Sequence, residues 1–152
     1  MLDAALTIVS PVNHEADSVE QVKIIAEALG AKCRYVIVRN QAHSEQFRIY
    51  DNSQTRSRVL GELAGREVLM PKLYDWLVTG LNETNLSMTA AIAGSEFSLV
   101  DRQRLKNWQA KFYEQIELAR DYLLPTAEQS KASGKTKKKP ATPAEQTEPA
   151  IS

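Results

Sequence analysis

The residues best placed to do chemistry come directly after apolar runs of the sequence. Asn40 follows one such run and Pro71 follows another. In open parallel sheets, ligands bind beyond the carboxyl ends of the strands. A carboxamide can donate and accept hydrogen bonds at once, which suits the edge of a purine ring. The alternative is that the side chain of Asn40 binds backbone in a turn. The candidate segments at this sheet edge are Pro11–Asp17, Asn40–His43 and Pro71–Leu73.

A short acidic segment holds one of the two histidines. His14 and Asp17 are three residues apart and would share a face of a helical turn. No second histidine-rich segment completes a metal site, because the only other histidine is His43. A helix start in which the dipole favours Asp17 is therefore the prediction. Cys33 has no base beside it in sequence and no Ser–His–Asp arrangement is visible, so we predict no catalytic residue and no metal site.

The sequence contains no phosphate-binding loop. Neither Gly-x-x-x-x-Gly-Lys-Ser/Thr nor Gly-x-Gly-x-x-Gly occurs, and no two of the six glycines are closer than four residues. Such a loop packs backbone N–H groups against phosphate, which glycine permits because it has no side chain. We therefore expect no ATP hydrolysis by this chain on its own, and at most weak ATP binding.

The last segment, residues 126–152, differs in composition from residues 1–125. Lys, Pro, Thr, Ala, Glu and Ser dominate it, and Ile151 is its only large apolar residue. A segment that buries so little apolar surface cannot offset its conformational entropy, which predicts disorder. Its basic run could contact nucleic acid by charge alone, since no aromatic residue is interleaved. A solubilising tail is the alternative. The run consists of Lys135, Lys137, Lys138 and Lys139.

The overall composition is typical of a globular domain, which we place at residues 1–125. Charged residues make up 25% of the chain, apolar residues 43%, and the formal net charge is zero. No apolar run approaches the roughly 18–20 residues that span a bilayer. Met1–Asp3 lacks the basic start of a signal peptide, and the single cysteine, Cys33, fits a reducing compartment. We expect a soluble, cytoplasmic protein.

Hydrophobic patterning predicts a βαβαβ unit in the first half of the chain. Connections of this length require parallel strands with right-handed crossovers. Pro11 and Pro71 are expected to end the first and third strands. The predicted strands are Ala5–Ser10, Arg34–Arg39 and Glu67–Met70, and the predicted helices between them are Ser18–Leu29 and Ser53–Ala64.

Local signals mark the ends of these elements. Ser18 with Gln21 fits a capping box, and Gly30 supplies a left-handed residue at the end of the first helix. In the polar connection Asn40–Asn52, an extended segment is predicted around Phe47, Ile49 and Tyr50.

Three further helices are predicted after Pro71. The last of them starts with Ser98 and Asp101 in a capping-box-like arrangement. At 1.5 Å per residue it would be about 40 Å long. Its apolar stripe consists of Leu105, Trp108, Phe112, Ile116, Ala119 and Leu123. The helices are Leu73–Leu81, Ser87–Ala93 and Ser98–Leu124. The predicted fold is α/β, with three parallel strands, flanking helices and a long C-terminal helix.

Three of these segments, taken in order, resemble the C-terminal half of the ParA/MinD-like P-loop ATPases. Ile8–Pro11 is similar to a late strand of that family that ends in Thr/Ser-Pro. Tyr35–Asn40 resembles the next strand, whose terminal Asn reads adenine, and Val68–Leu73 resembles a strand that ends in an apolar-Pro step beside the base. The resemblance implies a partial P-loop NTPase-like (Rossmann-like) three-layer fold. It also implies that Asn40 and Pro71 contact the nucleobase.

The last predicted helix narrows the resemblance. Asp101–Lys106, with Phe112 and Glu114–Glu117, resembles the C-terminus of TraL-type conjugal-transfer proteins, which are plasmid-encoded members of the family. This implies a role in plasmid DNA transfer or maintenance. The family's phosphate-binding loop, catalytic aspartate and magnesium-contacting carboxylate lie in an N-terminal half that this sequence does not contain. The resemblance therefore implies a non-catalytic half-domain.

The resemblance also implies a docking edge. The family's strand beside Ala5–Ser10 belongs to the half that this sequence lacks, and an uncovered strand edge is a route to association. We expect docking there of an N-terminal ATPase half or of a second copy of this chain. Two other hypotheses stay open: a protein- or DNA-binding adaptor that uses the long helix and the lysine run, and a small enzyme with an unrecognised site.

Overall fold

A computed structural model describes residues 6–124 as a three-stranded parallel sheet with helices on both faces. The strands are β1 (Thr7–Val12), β2 (Arg34–Asn40) and β3 (Arg66–Met70), in the order β1-β2-β3. In the register of the sheet, Val9 pairs with Val36, and Val38 pairs with Val68. The predicted α/β class and the parallel pairing are confirmed.

Seven α-helices accompany the sheet within the described residues. None of them is long and apolar enough to cross a membrane. Residues 126–152, with the four lysines of the basic run, lie outside the described part. The helices are α1 (Ala16–Leu29), α2 (Arg48–Asp51), α3 (Gln54–Ser57), α4 (Asp75–Thr84), α5 (Met88–Ala93), α6 (Leu99–Glu117) and α7 (Arg120–Leu123).

Side chains alternate along each strand, so each face of the sheet contributes to its own apolar cluster. Tyr35 and Ile37 pack on one face with α1 and with the residues that connect β2 to β3. Val36 and Val68 pack on the other face, against Ala119 between α6 and α7. A third apolar cluster, centred on Leu77, Ala91 and Leu105, joins α4, α5 and α6 beside the sheet.

Pro11 lies inside β1, so the prediction that it ends the first strand is wrong. The N–H of Arg34 donates to the carbonyl of Leu6 at 2.8 Å, which directs the backbone groups of Leu6 and its alternate neighbours toward β2. By the same alternation, the backbone of Thr7, Val9 and Pro11 faces the outer edge. Proline lacks an N–H, but at this position no ladder hydrogen bond is lost.

The first helix begins earlier than predicted. α1 starts at Ala16 with Glu15 as its N-cap, so Ser18 is inside the helix and the Ser18–Gln21 capping box is wrong. The hydroxyl of Ser18 instead donates to the carbonyl of Glu15 at 2.8 Å and accepts from the N–H of Asn13 at 3.1 Å. The predicted end is confirmed, because Gly30 has a φ of 51°.

The connection after β2 is helical where an extended segment was predicted. Phe47 and Tyr50 are both buried, and residues three apart face the same way only in a helical turn. The following helix, α3, continues as a π-helix over Arg58–Glu62, which places Val59 in the core. The residue with positive φ at its end is Ala64, with a φ of 50°.

The C-terminal helix is shorter than predicted. α6 ends at Glu117, and Ala119 leaves the helical region with φ −119° and ψ 16° before α7 begins. Ala119 is fully buried against Val36 and Val68. The break lets Tyr122 pack on the sheet and donate its hydroxyl to the carbonyl of Ala64 at 2.6 Å. The predicted start is confirmed, since the hydroxyl of Ser98 accepts from the N–H of Asp101 at 3.1 Å.

Candidate functional site

Three cavities lie along the carboxyl edge of the sheet. The β1 cavity, about 250 Å³, is lined by Pro11, Asn13, Asp17, Ser18 and Asn40 among others. The central cavity, about 400 Å³, is lined by Asn40, His43, Met70, Pro71, Val78 and Trp108 among others. The α6 cavity, about 490 Å³, is lined by Glu45, Lys72, Tyr74, Arg104, Trp108 and Lys111 among others. Asn40 joins the first two cavities, and Pro71 and Trp108 join the last two.

Asn40 is the last residue of β2, and its side chain already makes one contact. Its Oδ1 accepts from the N–H of Ala42 at 2.9 Å, which is the turn contact considered for this residue. Because the Ala42 N–H needs an acceptor, Oδ1 of Asn40 faces it and Nδ2 of Asn40 points away from Ala42. Within residues 6–124, Nδ2 has no hydrogen-bond partner. Asn40 can therefore offer two N–H donors to a ligand in the central cavity.

Pro71 follows β3 directly and is fixed from the opposite side by Trp108. The indole Nε1–H of Trp108 donates to the carbonyl of Pro71 at 2.7 Å, which spans 37 positions of sequence. Trp108 also stacks on Phe112, with ring centroids 5.3 Å apart. The ring forms a wall of both the central and the α6 cavities. Trp108 was predicted as part of the apolar stripe, and no pattern in the sequence indicates its contact with Pro71.

A charged network joins β2 and β3 to the helices between them. Arg39, next to Asn40, binds Asp51 at 2.9 Å and lies 3.8 Å from Glu67. Arg56 binds the same Glu67 carboxylate at 2.9 Å. Burial opposes ionisation of Glu67, but the hydrogen bond from Arg56 and the charges of both arginines outweigh it, so the pKa of Glu67 is lowered. The network ties β2 and β3 to α2 and α3, the helices that connect them.

The acidic segment after β1 acts as a helix start. The N–H of Glu15 donates to Oδ1 of Asn13 at 2.8 Å, and Asp17 lies in the first turn of α1. Within residues 6–124, no group of three His, Cys, Asp or Glu residues is arranged to hold a metal ion. Asp17 lines the β1 cavity and His43 lines the central cavity, so the structure places these two residues in different cavities.

The α6 cavity carries positive charge that was not predicted from the sequence. Lys72, Arg104 and Lys111 line it, against one carboxylate, Glu45. Arg104 and Lys111 are seven residues apart on α6 and so lie on one face of the helix. The apolar Trp108 lies between Arg104 and Lys111 on this face, so the sequence shows no continuous basic stripe there.

The outer edge of β1 has no partner strand in the described part of the chain. The outward groups are the N–H and carbonyl of Thr7 and Val9, and the carbonyl of Pro11. The Thr7 hydroxyl donates to the carbonyl of Tyr122 at 2.7 Å, but this is a side-chain contact on one face of the sheet. Val9 is 51% exposed beside this edge, and Leu6 is 58% exposed.

No family model, no curated protein and no solved structure matches this chain.

Proposed function

We propose that this chain is a non-catalytic half-domain of the ParA/MinD-like type, which keeps the nucleobase side of a nucleotide site and serves plasmid conjugal transfer or maintenance. One observation supports it most: Asn40 and Pro71, the two residues that the resemblance assigns to the nucleobase, line the same cavity of about 400 Å³. They are 31 positions apart in sequence and come from the ends of neighbouring strands.

The chemistry of the central cavity suits a flat heterocycle. Pro71, Met70 and Val78 give it apolar walls, and Trp108 adds an aromatic one. The free amide hydrogens of Asn40 can donate to a ring nitrogen of a purine. A base bound here would satisfy a polar group at the rim while it removes apolar surface from water.

Catalysis is not part of the proposal. Phosphoryl transfer depends on groups that position the triphosphate and neutralise its charge. The printed sequence has no phosphate-binding loop, and the carboxylates of residues 6–124 form no cluster for a metal ion. We expect weak binding in which the base contributes most of the affinity.

Thermal stabilisation by nucleosides and nucleotides tests the proposal. Adenosine and ATP should both raise the Tm of the purified chain at millimolar concentration, and by similar amounts, because the base is the shared part. Asn40→Ala should abolish the shift, and Asn13→Ala, at the start of α1, is the matched control. Absence of any shift with adenosine, or an unchanged shift in Asn40→Ala, would contradict the proposal.

The outer edge of β1 is the proposed docking surface for an N-terminal ATPase half or a second copy of the chain. A second copy fits the backbone pattern, since an antiparallel pair centred on Val9 sets Thr7 of one copy opposite Pro11 of the other. The Thr7 N–H then meets the Pro11 carbonyl, and only the Thr7 carbonyl is left without a donor, because proline has no N–H. Light scattering on the full chain measures the mass, and a strictly monomeric protein would exclude the second copy.

The alternative function is an adaptor that contacts DNA through the lysine run and the C-terminal helices. α6 with the following α7 replaces the single long helix of that hypothesis. Deletion of residues 126–152 should then abolish salt-sensitive DNA binding.

A further inference from the structure

A pair of exposed aromatic rings stands beside the α6 cavity. Tyr74 and Trp76 stack with ring centroids 4.4 Å apart and an interplanar angle of 19°. Both side chains lie at the surface, Tyr74 at 51% exposure and Trp76 at 54%. Two large rings exposed side by side offer flat apolar surface to a ligand.

Arg104 lies beside this stack, equally close to both rings. The guanidinium carbon is 5.6 Å from the centroid of Tyr74 and 5.6 Å from that of Trp76. A group equally distant from two stacked rings lies in the plane between them and so is not over the outer face of either. Arg104 is also bound to Asp101 at 3.0 Å, which holds it in this position.

Two further cations complete the surface. Lys72 precedes the aromatic pair in the chain, and Lys111 lies two turns along α6 from Arg104. Both line the α6 cavity, and neither forms an ion pair within residues 6–124. Arg104 is paired with Asp101, so Lys72 and Lys111 are the two cations that face one lining carboxylate, Glu45, and the cavity favours an anion. Flat apolar faces next to cations are the two features that bind a base and its phosphate.

We propose that this surface binds a short single-stranded nucleic acid segment, whose bases stack on Tyr74 and Trp76 and whose phosphates contact Lys72, Arg104 and Lys111. A duplex fits less well, because its bases already stack on each other and their faces are not available. The inference does not require a nucleotide in the central cavity, which shares Pro71 and Trp108 with the α6 cavity.

Fluorescence anisotropy with a labelled oligothymidylate of about 12 nucleotides tests the inference on the full chain. The strand should bind better than the same length of duplex, and binding should quench tryptophan fluorescence. Replacing both rings, Tyr74→Ala with Trp76→Ala, should lower the affinity about tenfold or more. Trp76→Phe should retain most of the affinity, because an aromatic face remains.

The phosphate contacts are tested through the salt dependence. Lys72→Glu with Lys111→Glu should weaken binding and reduce the slope of log affinity against log salt by about one to two units. Tyr113→Ala removes an exposed ring elsewhere on α6, and Lys32→Glu changes an exposed charge at the opposite end of β2; both should bind as the parent does. Lys137→Glu with Lys138→Glu measures the share of the lysine run.

Three results would overturn the inference. The first is no binding of the single strand. The second is binding that the changes at Tyr74, Trp76, Lys72 and Lys111 leave intact while the tail substitutions abolish it. The third is complete displacement of the strand by a low concentration of ATP, with quenching of the fluorescence of Trp76 alone. This result would make a free nucleotide the ligand. Unchanged far-ultraviolet circular dichroism and Tm should accompany each variant, because the substituted side chains are exposed.

Discussion

The two outer strands of the sheet differ in what lies beside them. Along β3, the outward N–H of Leu69 donates to Oε1 of Gln115 at 3.0 Å, and α6 runs beside the strand. Trp108 continues this contact beyond the strand by its bond to Pro71. Along β1, no residue of 6–124 bonds to the outward N–H of Thr7 or Val9.

Within residues 6–124, the β3 edge is thus partly covered and the β1 edge is open. Unpaired strand edges template association, and side chains that bond to them prevent it. Gln115 takes this protective role at β3. Pro11 removes one donor from the edge of β1 but leaves two N–H groups and three carbonyls outward. Association of this protein is therefore expected at β1.

The largest effect is expected when the closed edge loses its tryptophan. Trp108→Ala removes the bond to the Pro71 carbonyl and the stacking on Phe112, and we expect it to lower the free energy of unfolding by about 3 kcal/mol. Urea denaturation followed by circular dichroism measures the change. Trp108→Phe retains a ring and should cost about 1 kcal/mol. Equal losses in the two variants would show that the ring itself contributes little.

The sequence carried enough information for the local parts of the fold. The segment Arg34–Arg39, rich in β-branched residues, predicted β2, and Gly30 predicted the end of α1, because both signals act within a few residues. The break at Ala119 was not predictable in this way, since the helical stripe continues through it. The break is set by contact with Val36, 83 positions away, and local patterning carries no information about such a contact.

The same division applies to the site. Strand ends predicted the position of Asn40 and Pro71, because the carboxyl ends of parallel strands meet at one sheet edge. The contact between Trp108 and Pro71, and the cations that gather in the α6 cavity, depend on how α6 crosses that edge. A helical periodicity indicates which face of α6 is buried but not which segment lies against it.

A smaller effect is expected from Gln115→Ala. The substitution leaves the part-buried N–H of Leu69 without its acceptor, which should cost about 1–2 kcal/mol. Hydrogen exchange is the sharper measurement: the Leu69 amide should exchange about tenfold faster, while the amides of Thr7 and Val9 exchange rapidly in both proteins when monomeric. Gln109→Ala, one and a half turns earlier on α6, is the control. Rapid exchange of Leu69 in the parent would contradict the view that this edge is closed.

Acid should weaken the ion pairs that hold β3 before it weakens the contacts of β1. The pKa of Glu67 is lowered in the folded protein from its ordinary value of 4.5, so the stabilisation is present above that pH and is lost as the pH falls through the folded pKa. Unfolding free energy measured between about pH 6 and pH 3 should fall, and Glu67→Gln should flatten this dependence. Glu20→Gln breaks an exposed pair with Lys23 at 3.2 Å and should leave the profile as in the parent. An equal flattening in both variants would assign the acid sensitivity to other groups.

The smallest effect on stability, and the clearest effect on assembly, is expected at Val9. Its side chain is 51% exposed and its backbone faces the open edge, so Val9→Lys should change the unfolding free energy by no more than about 0.5 kcal/mol. If β1 pairs with a second copy, the two symmetry-related lysines lie directly opposite each other, and their repulsion should abolish the dimer in light scattering. Val9→Thr keeps a β-branched side chain without charge and should leave the dimer intact. Gln115→Ala provides the contrast at the β3 edge. New association of this variant would show that exposure of a strand edge is sufficient for pairing. A dimer that survives Val9→Lys would move the interface away from β1.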